Sequence, residues 1–455
     1  MSAASATAES VTYRRVIGIA LPVVLSNATV PLQGAVDTAI IGNLGDAVYL
    51  AAVTLGAAAM ALLLQVFNFL QFGSGALSAQ ALGAGDHRRV INVLARALIL
   101  AFGLAAMLIL LQLPILAVIL RIFEGSERAE SFASTYFLIR VWGAPAELGI
   151  FALGGWFAGQ ELTKRLFELQ LVVSITNMAL NLFLVLGLGM DVDGVALGTV
   201  AAMYLGLAFG LWRARARMRT LMPDWRPERS RLLNPAEIAK LMRLNRDIFI
   251  RTMLLVISFT WMTRQGSLQG DIVLAANGVL MQVCHVAIYG LDGFAIAVES
   301  LVGQAVGARN RAFLRRAVVV STICALLLAV VIGAVLFVVQ TPLINLFSNV
   351  GAVRAAAQEF YFWAALFTLV GTIAFIMDGV FVGATEGPAM RNAMIVSAGL
   401  YLALSGWALD TWGNHGVWGA MWGFLVLRGL TLTALYPALE RRTGNASKKS
   451  DHKAS

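Results

Sequence analysis

The stretch Ala79-Gln80-Ala81-Leu82-Gly83-Ala84-Gly85-Asp86 returns as Gly303-Gln304-Ala305-Val306-Gly307-Ala308-Arg309-Asn310, an offset of 224 residues (303 − 79). The same offset relates further pairs along the chain: Leu50-Ala51-Ala52 with Leu274-Ala275-Ala276, Gly155 with Gly379, Phe157 with Phe381, and Gly159 with Gly383. The pairs span most of the sequence. The chain is therefore two copies of one folding unit.

Composition assigns this duplicated unit to the membrane. Apolar residues make up 59% of the chain, the mean hydropathy is +0.78, and charged residues make up 13%, whereas soluble domains carry about 25% charged residues. A chain this apolar cannot bury all of its apolar surface in a water-soluble fold. Membrane proteins with two such halves are most often transporters.

The apolar segments predict twelve transmembrane helices, because about 20 residues are needed to cross roughly 30 Å of hydrocarbon. They begin near Val16, Leu50, Val90, Phe132, Leu166 and Gly194 in the first half and near Ile248, Leu274, Ala317, Phe360, Ala393 and Val417 in the second. The segments lack the alternation of barrel strands, so we expect an all-α membrane protein. Six spans per half, an even number, predict a parallel repeat.

This pattern predicts an N-terminal lobe over residues 1–212, a basic cytoplasmic linker over 213–247, a C-terminal lobe over 248–440 and a polar cytoplasmic tail over 441–455. Lys and Arg collect in one set of connections, such as Arg88-Arg89, whereas the alternate set, such as Asn43 to Ala47, is nearly neutral or acidic. By the positive-inside rule both termini face the cytoplasm. We expect no signal peptide and a monomer in the bacterial inner membrane.

The linker carries ten Lys and Arg residues and accounts for much of the net charge of +9. A basic run could bind nucleic acid, but this one is next to a membrane span, where anionic lipid headgroups are present. No nucleic-acid-binding fold is recognisable nearby in the sequence. We therefore expect contact with the lipid bilayer and no nucleic-acid partner.

Enzyme signatures are largely missing from the sequence. No Lys follows a Gly, so a Walker A loop is absent, and the four histidines have no zincin spacing. Cys284 and Cys324 show no metal-binding pattern. We expect neither an enzyme nor a cofactor or metal, and an ion gradient rather than bond cleavage to drive the work. A membrane-embedded enzyme would need a convergent catalytic set, and a channel would favour oligomeric symmetry over internal duplication.

Two polar stripes in the first half are candidate functional features. One stripe holds Ser26, Thr29, Gln33 and Asp37, and the other holds Gln170, Ser174, Asn177 and Asn181, each at helical spacing. Amides and hydroxyls can also simply join helices in lipid, and for them both interpretations stay open. A carboxylate near the bilayer interior costs about 2.5–3.5 kcal/mol. We therefore predict that Asp37, with no Lys or Arg in its span, titrates, and that Pro22 permits a bend.

The second half holds other charges within its predicted spans. Asp292 and Glu299 are seven residues apart on one helical face, Asp378 lies in the tenth span, and Arg251 lies in the seventh. Two interpretations are equally open. Arg251 neutralises one or more of the acids in a fixed packing network, or these residues form a second coupling or substrate site.

Several of these motifs together resemble one family. They are Ala20-Leu21-Pro22, Val36-Asp37-Thr38-Ala39-Ile40-Ile41-Gly42, Leu50-Ala51-Ala52 and Ala79 to Asp86. Their ordered set resembles the multidrug and toxic compound extrusion (MATE) family. The second half, with Leu291-Asp292-Gly293-Phe294-Ala295, Glu299, Val302-Gly303-Gln304 and Asp378-Gly379, is similar to the branch named for DNA-damage-inducible protein F.

The resemblance implies two six-helix lobes around a central cavity that opens to one side at a time, and export of amphipathic, often cationic organic compounds as H⁺ or Na⁺ enters. It places Asp37 as the acid that binds the coupling cation, Asn177 and Thr199 as its neighbours, and Pro22 at the bend. Gln33 belongs to the same stripe as Asp37. Many relatives carry Asp where this chain has Asn181.

The single carboxylate favours H⁺ over Na⁺ as the coupling ion, because Na⁺ prefers several hard oxygen ligands. Amide oxygens could still complete a Na⁺ shell. This chain also has no seventh-span Glu of the kind Na⁺-coupled relatives use. A flippase for lipid-linked precursors or lipids, of the same wider superfamily, is the alternative function. It would favour a cavity lined with arginine, for which only Arg251 looks suitably placed.

Overall fold

A computed structural model describes residues 10–42, 47–122 and 127–451. Most of the predicted loop from Asn43 to Ala47 and the extreme ends of the chain lie outside the described residues. Within the described part the regular structure is entirely helical, as expected for the all-α class.

The first half contains nine regular helices, several of them joined end to end into longer segments. They are α1 (Tyr13–Gly42), α2 (Ala47–Gln65) continuing through a 3₁₀ turn (Val66–Asn68) into α3 (Phe69–Gly83), α4 (His87–Leu110), α5 (Gln112–Ile122), α6 (Glu127–Arg140) continuing through a 3₁₀ turn (Val141–Gly143) into α7 (Ala144–Gly159), α8 (Thr163–Asn181) followed by a π turn (Leu182–Gly187), and α9 (Val192–Leu221).

The rest of the chain follows the same pattern after one short connecting helix. Its helices are α10 (Arg229–Leu232), α11 (Pro235–Ser267), α12 (Asp271–Gly307), α13 (Arg311–Val338), α14 (Gln340–Phe347), α15 (Gly351–Ala365), α16 (Phe367–Gly383) and α17 (Gly387–Asp451). Gly413 interrupts α17 with a positive φ of 56°, a conformation that glycine adopts without strain.

Helix bounds reproduce the repeat seen in the sequence. Counterpart segments begin 224 residues apart: Ala47 and Asp271, His87 and Arg311, Glu127 and Gly351, and Thr163 and Gly387. The α2–α3 and α6–α7 segments also end at residues 224 before the ends of α12 and α16. The duplication therefore extends from sequence to secondary structure.

Nine segments of the described chain are long and apolar enough to cross a membrane. One of them, Gly387–Gly444, has 58 residues and is divided by Gly413, which leaves room for two crossings. In addition, α1 and α11 have 30 and 33 residues, and a crossing needs about 20. Together these segments supply the twelve crossings of the two-lobe architecture.

Helices extend further into the polar connections than the composition alone indicates. The linker was predicted over residues 213–247, but α9 continues to Leu221 and α11 begins at Pro235. Likewise α17 continues to Asp451, into the predicted tail. A helix satisfies its own backbone groups in water as well as in lipid, so the end of the apolar segment need not be the end of the helix.

The described chain forms two compact units. One contains the residues up to Val24, Ala79–Gly85 and the residues from Met242 onward, and the other contains Leu25–Ser78 and Asp86–Leu241. These units differ from the predicted lobes in two segments, the start of α1 and the end of α3. Both pack against α12 in the first unit, where a side chain on Gly293 would meet the Ala20 carbonyl at 2.7 Å.

The two copies of the opening motif contact each other within the first unit. A Cβ on Gly83 would overlap the carbonyl of Gln304, and a Cβ on Gly307 would overlap the carbonyl of Gln80. Since Gly83 and Gly307, like Gln80 and Gln304, are repeat counterparts, the contact is reciprocal. Glycine is required at both places because the backbones of α3 and α12 approach so closely.

Each unit also has one close helix crossing at its repeated glycines. In α7, a side chain on Gly155 would overlap the carbonyl of Gln71 in α3, and in α16 a side chain on Gly379 would meet the carbonyl of Ala295 in α12. Small residues allow helices to pack this tightly in lipid. The repeated glycines therefore mark the same packing contact in both halves.

Candidate functional site

A connected set of polar side chains surrounds Asp37 in the unit formed by Leu25–Ser78 and Asp86–Leu241. The amide nitrogen of Asn181 donates a hydrogen bond to Asp37 Oδ1 at 2.7 Å and lies 3.4 Å from Asn177 Oδ1. The amide of Asn177 donates to the hydroxyl of Thr199 at 2.9 Å, which in turn donates to the Val195 carbonyl at 2.8 Å. Four of the predicted site residues, from α1, α8 and α9, thus form one chain of hydrogen bonds.

Local geometry explains why the amides reach the carboxylate. Asn177 and Asn181 lie one helical turn apart on α8 and are fully buried. On α9, Gly198 leaves space for the Asn181 side chain, because a Cβ there would overlap Asn181 Oδ1. The π turn begins directly after Asn181. Such turns occur frequently at functional sites, where they change the direction of a helix face.

Gln33 belongs to the same stripe but has a different partner. The hydroxyl of Ser174 donates to Gln33 Oε1 at 3.3 Å and lies 3.4 Å from the hydroxyl of Thr29. Among the described residues, no hydrogen bond joins Gln33 to Asp37. The predicted stripes on α1 and α8 therefore meet at two levels, Ser174 with Gln33 and Asn181 with Asp37.

The hydrogen bonds around Asp37 match its ionised form. A carboxylate accepts hydrogen bonds only, and here it accepts one from an amide nitrogen. The other end of that amide, Asn181 Oδ1, is buried and has no hydrogen-bond partner among the described residues. An unmet buried acceptor costs about 1–3 kcal/mol. The cluster therefore has a free acceptor beside its single acid.

Sequence reasoning missed a buried ion pair near this cluster. Arg140, at the end of α6, is 7% exposed and donates to Glu147 at 3.0 Å, and Tyr136 hydrogen-bonds to the same arginine. Arg140 also lies within electrostatic range of Asp37. The first predicted span holds no Lys or Arg, and this arginine lies on another helix. An arginine inside the fourth predicted span was the available signal.

Pro22, the predicted bend, lies within α1, and the helix continues through it. Its side chain is buried. The boundary between the two compact units crosses α1 between Val24 and Leu25. Pro22 and Asp37 thus belong to different units although one helix carries both.

The charges of the second half form a separate network on α11, α16 and α17. Asp378 is ion-paired with both Arg251 and Arg428, and Arg428 Nε lies 3.2 Å from Asp378 Oδ1. Arg428 is 1% exposed, and sequence reasoning did not single it out although it lies in the twelfth predicted span. Asp292 is in electrostatic range of Arg251.

Glu299 stands apart from that network. Its side chain is buried on α12, and no hydrogen bond or ion pair is found for it among the described residues. The structure thus joins Arg251 to Asp378 and adds Arg428, while Glu299 remains separate. No three His, Cys, Asp or Glu side chains in the described ranges cluster as a metal ion would require.

A duplicated twelve-helix membrane fold with a partly buried carboxylate in a polar cluster is typical of a membrane transporter. The MatE family model matches residues 22–190 and 248–407. The chain therefore belongs to the MatE family. DNA damage-inducible protein F of Escherichia coli is 38% identical over 429 residues, covering 92% of this chain and 90% of the relative.

More distant relatives and solved structures agree with this assignment. A probable multidrug resistance protein NorM of Bradyrhizobium diazoefficiens is 27% identical over 80% of this chain and 77% of its own length. A MOP superfamily transporter from Pyrococcus furiosus has the same fold, with a TM-score of 0.82 at 18% identity, over 95% of this chain and 96% of that one.

These relatives are transporters, and the family assignment settles the general class. The chain is a multi-pass membrane transporter of multidrug and toxic compound type that handles small molecules, and it is not an enzyme.

Proposed function

We propose that this protein is a proton-coupled antiporter that exports amphipathic, often cationic compounds from the cytoplasm. In this proposal it works as a monomer in the bacterial inner membrane, with both termini cytoplasmic. The observation that carries the proposal is the hydrogen bond between Asp37 and Asn181, a buried amide with no charge of its own. A carboxylate with neutral partners can gain a proton without leaving a bonded cation unpaired.

The donor set around Asp37 favours H⁺ over Na⁺. A sodium ion prefers several oxygen ligands, whereas here an amide nitrogen points at Asp37. Asn177 likewise directs its nitrogen towards Thr199. A Na⁺ site would require both amides to rotate and lose the hydrogen bonds that orient them, whereas a proton on Asp37 would require only the Asn181 amide to rotate and would supply a new O–H donor in exchange.

Protonation would change the cluster in a defined way. A neutral Asp37 carries an O–H donor, and Asn181 Oδ1 is the nearby acceptor that still lacks a partner. Rotation of the Asn181 amide would satisfy both groups and break the present bond from its nitrogen to Asp37. In this proposal α1 then moves at Pro22, and that movement expels substrate. Alternating access follows when the proton binds one conformation more tightly than the other.

A lipid or lipid-linked precursor flippase is the alternative. It would use arginines for the headgroup phosphates, and the second half provides Arg251 and Arg428. Both arginines are already ion-paired with Asp378, which leaves them less available to a ligand. We therefore prefer organic cations as substrates.

Transport by purified protein in proteoliposomes tests the proposal. A ΔpH or a ΔNa⁺ of equal size is imposed, and a panel of cationic dyes and labelled lipids is followed. We expect ΔpH to drive dye export by the wild type and by the control Asp271→Asn, which removes an exposed carboxylate outside the cluster. Transport driven only by ΔNa⁺, or of lipid only, would overturn the proposal.

A further inference from the structure

A cavity of about 350 Å³ lies in the unit that carries Asp37, and none of its lining residues belongs to the Asp37 cluster. It is an open cavity lined by the start of α4, the short helix α10 and the start of α11. Arg88, Arg89 and Arg96 line it from α4, and Arg231 and Glu237 line it from the connection between the halves. No role in transport has been given to any of these residues.

Positive charge exceeds negative charge around this cavity. Arg88 and Arg231 pair with Glu228 at 2.7 and 2.5 Å, and Arg96 pairs with Glu237 at 3.2 Å. Arg89 reaches Glu237 only at 3.5 Å, and its Nε is buried without a hydrogen-bond partner among the described residues.

Two more charged groups contribute to the net charge around the cavity. Asp86 lines the cavity and accepts the backbone N–H of Arg89 at 2.8 Å, and Lys240 is in electrostatic range of Arg89 and Glu237. Burial, together with the charge of Arg89, lowers the pKa of Lys240 below its usual range. Four arginines and two carboxylates line the cavity, and with Lys240 and Glu228 beside them five cationic side chains stand against three carboxylates. An anion in the cavity would relieve their repulsion.

Arg96 gives the cavity a rigid wall. Its guanidinium donates to the carbonyl of Arg231 at 2.7 Å and to that of Leu232 at 3.1 Å, as well as to Glu237. The side chain is 8% exposed. These bonds attach α10 and the start of α11 to α4, so the cavity walls are held in place without a ligand.

Asn92 supplies an unused donor. It lines the cavity, its side chain is 8% exposed, and it makes no hydrogen bond to any described residue. Its amide is therefore free to donate to a ligand in the cavity. Because the cations nearby are donors only, the complementary ligand is an anion with several acceptor oxygens.

We propose that this cavity binds a phosphate group, through Arg89, Arg231 and Asn92. Guanidinium groups match phosphate oxygens in pairs, and a phosphomonoester carries about 1.5 to 2 negative charges at neutral pH, close to the excess of positive charge. The phosphate belongs either to a lipid headgroup or to a soluble phosphate. In both cases it bridges α4 to the connection between the halves.

Binding is measured on the full-length protein in two ways. In uncharged detergent, inorganic phosphate is titrated at constant ionic strength against chloride, with thermal unfolding and calorimetry as readouts. In nanodiscs of phosphatidylcholine, the protein is compared with and without phosphatidic acid. The variants are Arg89→Gln and Asn92→Leu, and Arg215→Gln removes an exposed arginine of α9 outside the cavity as a control.

We expect Arg89→Gln and Asn92→Leu each to weaken binding about tenfold or more, as loss of a hydrogen bond to a charged group predicts, with Arg215→Gln unchanged. Binding of inorganic phosphate in detergent would identify a soluble ligand, and stabilisation by phosphatidic acid alone would identify a lipid. Absence of both, or an equal loss in Arg215→Gln, would overturn the proposal.

The inference is separable from the proposed function. Proton-driven dye export by Arg89→Gln in phosphatidylcholine vesicles free of phosphate should equal that of the wild type, because Arg89 has no contact with the Asp37 cluster. If Arg89→Gln does not fold, Asn92→Leu decides the question, since it removes the donor with a neutral residue of similar size.

Discussion

Asp37 is partly buried and Asp378 is buried, and the two halves surround these acids differently. Asp37 accepts a hydrogen bond from the neutral amide of Asn181, whereas Asp378 lies between Arg251 and Arg428. Neutralising Asp37 costs one hydrogen bond that an amide rotation can replace. Neutralising Asp378 would leave two buried cations without a partner. We therefore expect a change of charge in the first half and fixed structure in the second.

The repeat allows the same helix contact to be compared in the two halves. The residues 224 positions after Asp37 and Asn181 are Trp261 and Ser405, and Trp261 Nε1 donates to Ser405 Oγ at 2.8 Å. The same helix contact is thus kept in the second half, with an indole and a hydroxyl in place of an acid and an amide. Neither of those groups changes protonation near neutral pH. Only the first half can couple to protons at this contact.

The largest expected effect is on Asp37. Asp37→Asn should retain folding, because an amide oxygen still accepts from Asn181, and should reduce ΔpH-driven export to the level of empty vesicles. The measurement is dye export in proteoliposomes, with unfolding temperature as the folding check. Export at the wild-type rate would show that Asp37 is structural, and the coupling acid would then be sought among Asp292, Glu299 and Asp378.

Asp378→Ala should damage stability more than transport. Arg251 and Arg428 would lose their shared partner, and breaking a buried pair in this way costs about 3–5 kcal/mol. We expect lower yield and a lower unfolding temperature, with export per folded molecule impaired less than in Asp37→Asn. Asp292→Ala should show the same pattern more weakly. Normal stability with abolished export would assign a coupling role to Asp378 and remove the contrast between the halves.

The glycine crossings should respond alike in both halves, since they are the part of the structure that the repeat preserves. Gly155→Ala and Gly379→Ala each place a methyl group against a backbone carbonyl. Overpacking of this kind costs about 1–3 kcal/mol. The measurement is the unfolding temperature of each variant, with Gly399→Ala, where the added methyl meets nothing, as the control. A large effect in one half alone would mean that the crossings are not equivalent.

Much of this fold could be predicted from the sequence, because the repeat is visible in the apolar segments and in the glycines that are 224 residues apart. The helix bounds of the structure reproduce the same repeat. Part of the Asp37 cluster could also be predicted from the sequence, since helical spacing places Asn177 and Asn181 on one face of α8 before any packing is known. Arg140 and Arg428 were missed for a physical reason. Spacing arguments consider one helix at a time, and Arg428 meets Asp378 across a helix interface. Arg140 meets Glu147 seven residues further along one continuous segment, but its proximity to Asp37 depends on the packing of α6 against other helices.

Asn181→Ser sharpens the comparison most finely, because it installs the residue found at the counterpart position, Ser405. The serine hydroxyl is too short to reach Asp37 from the same backbone position, so Asp37 should lose the hydrogen bond that now measures 2.7 Å. Loss of this bond should cost the cluster about 0.5–1.5 kcal/mol of stabilisation. That energy corresponds to roughly a two- to tenfold change in equilibrium between conformations. We expect slower ΔpH-driven export, with Asn181→Gln as the matched variant that keeps an amide but lengthens it. Unchanged export in Asn181→Ser would mean that Asp37 needs no amide partner, and that the amide of Asn181 only joins α8 to α1.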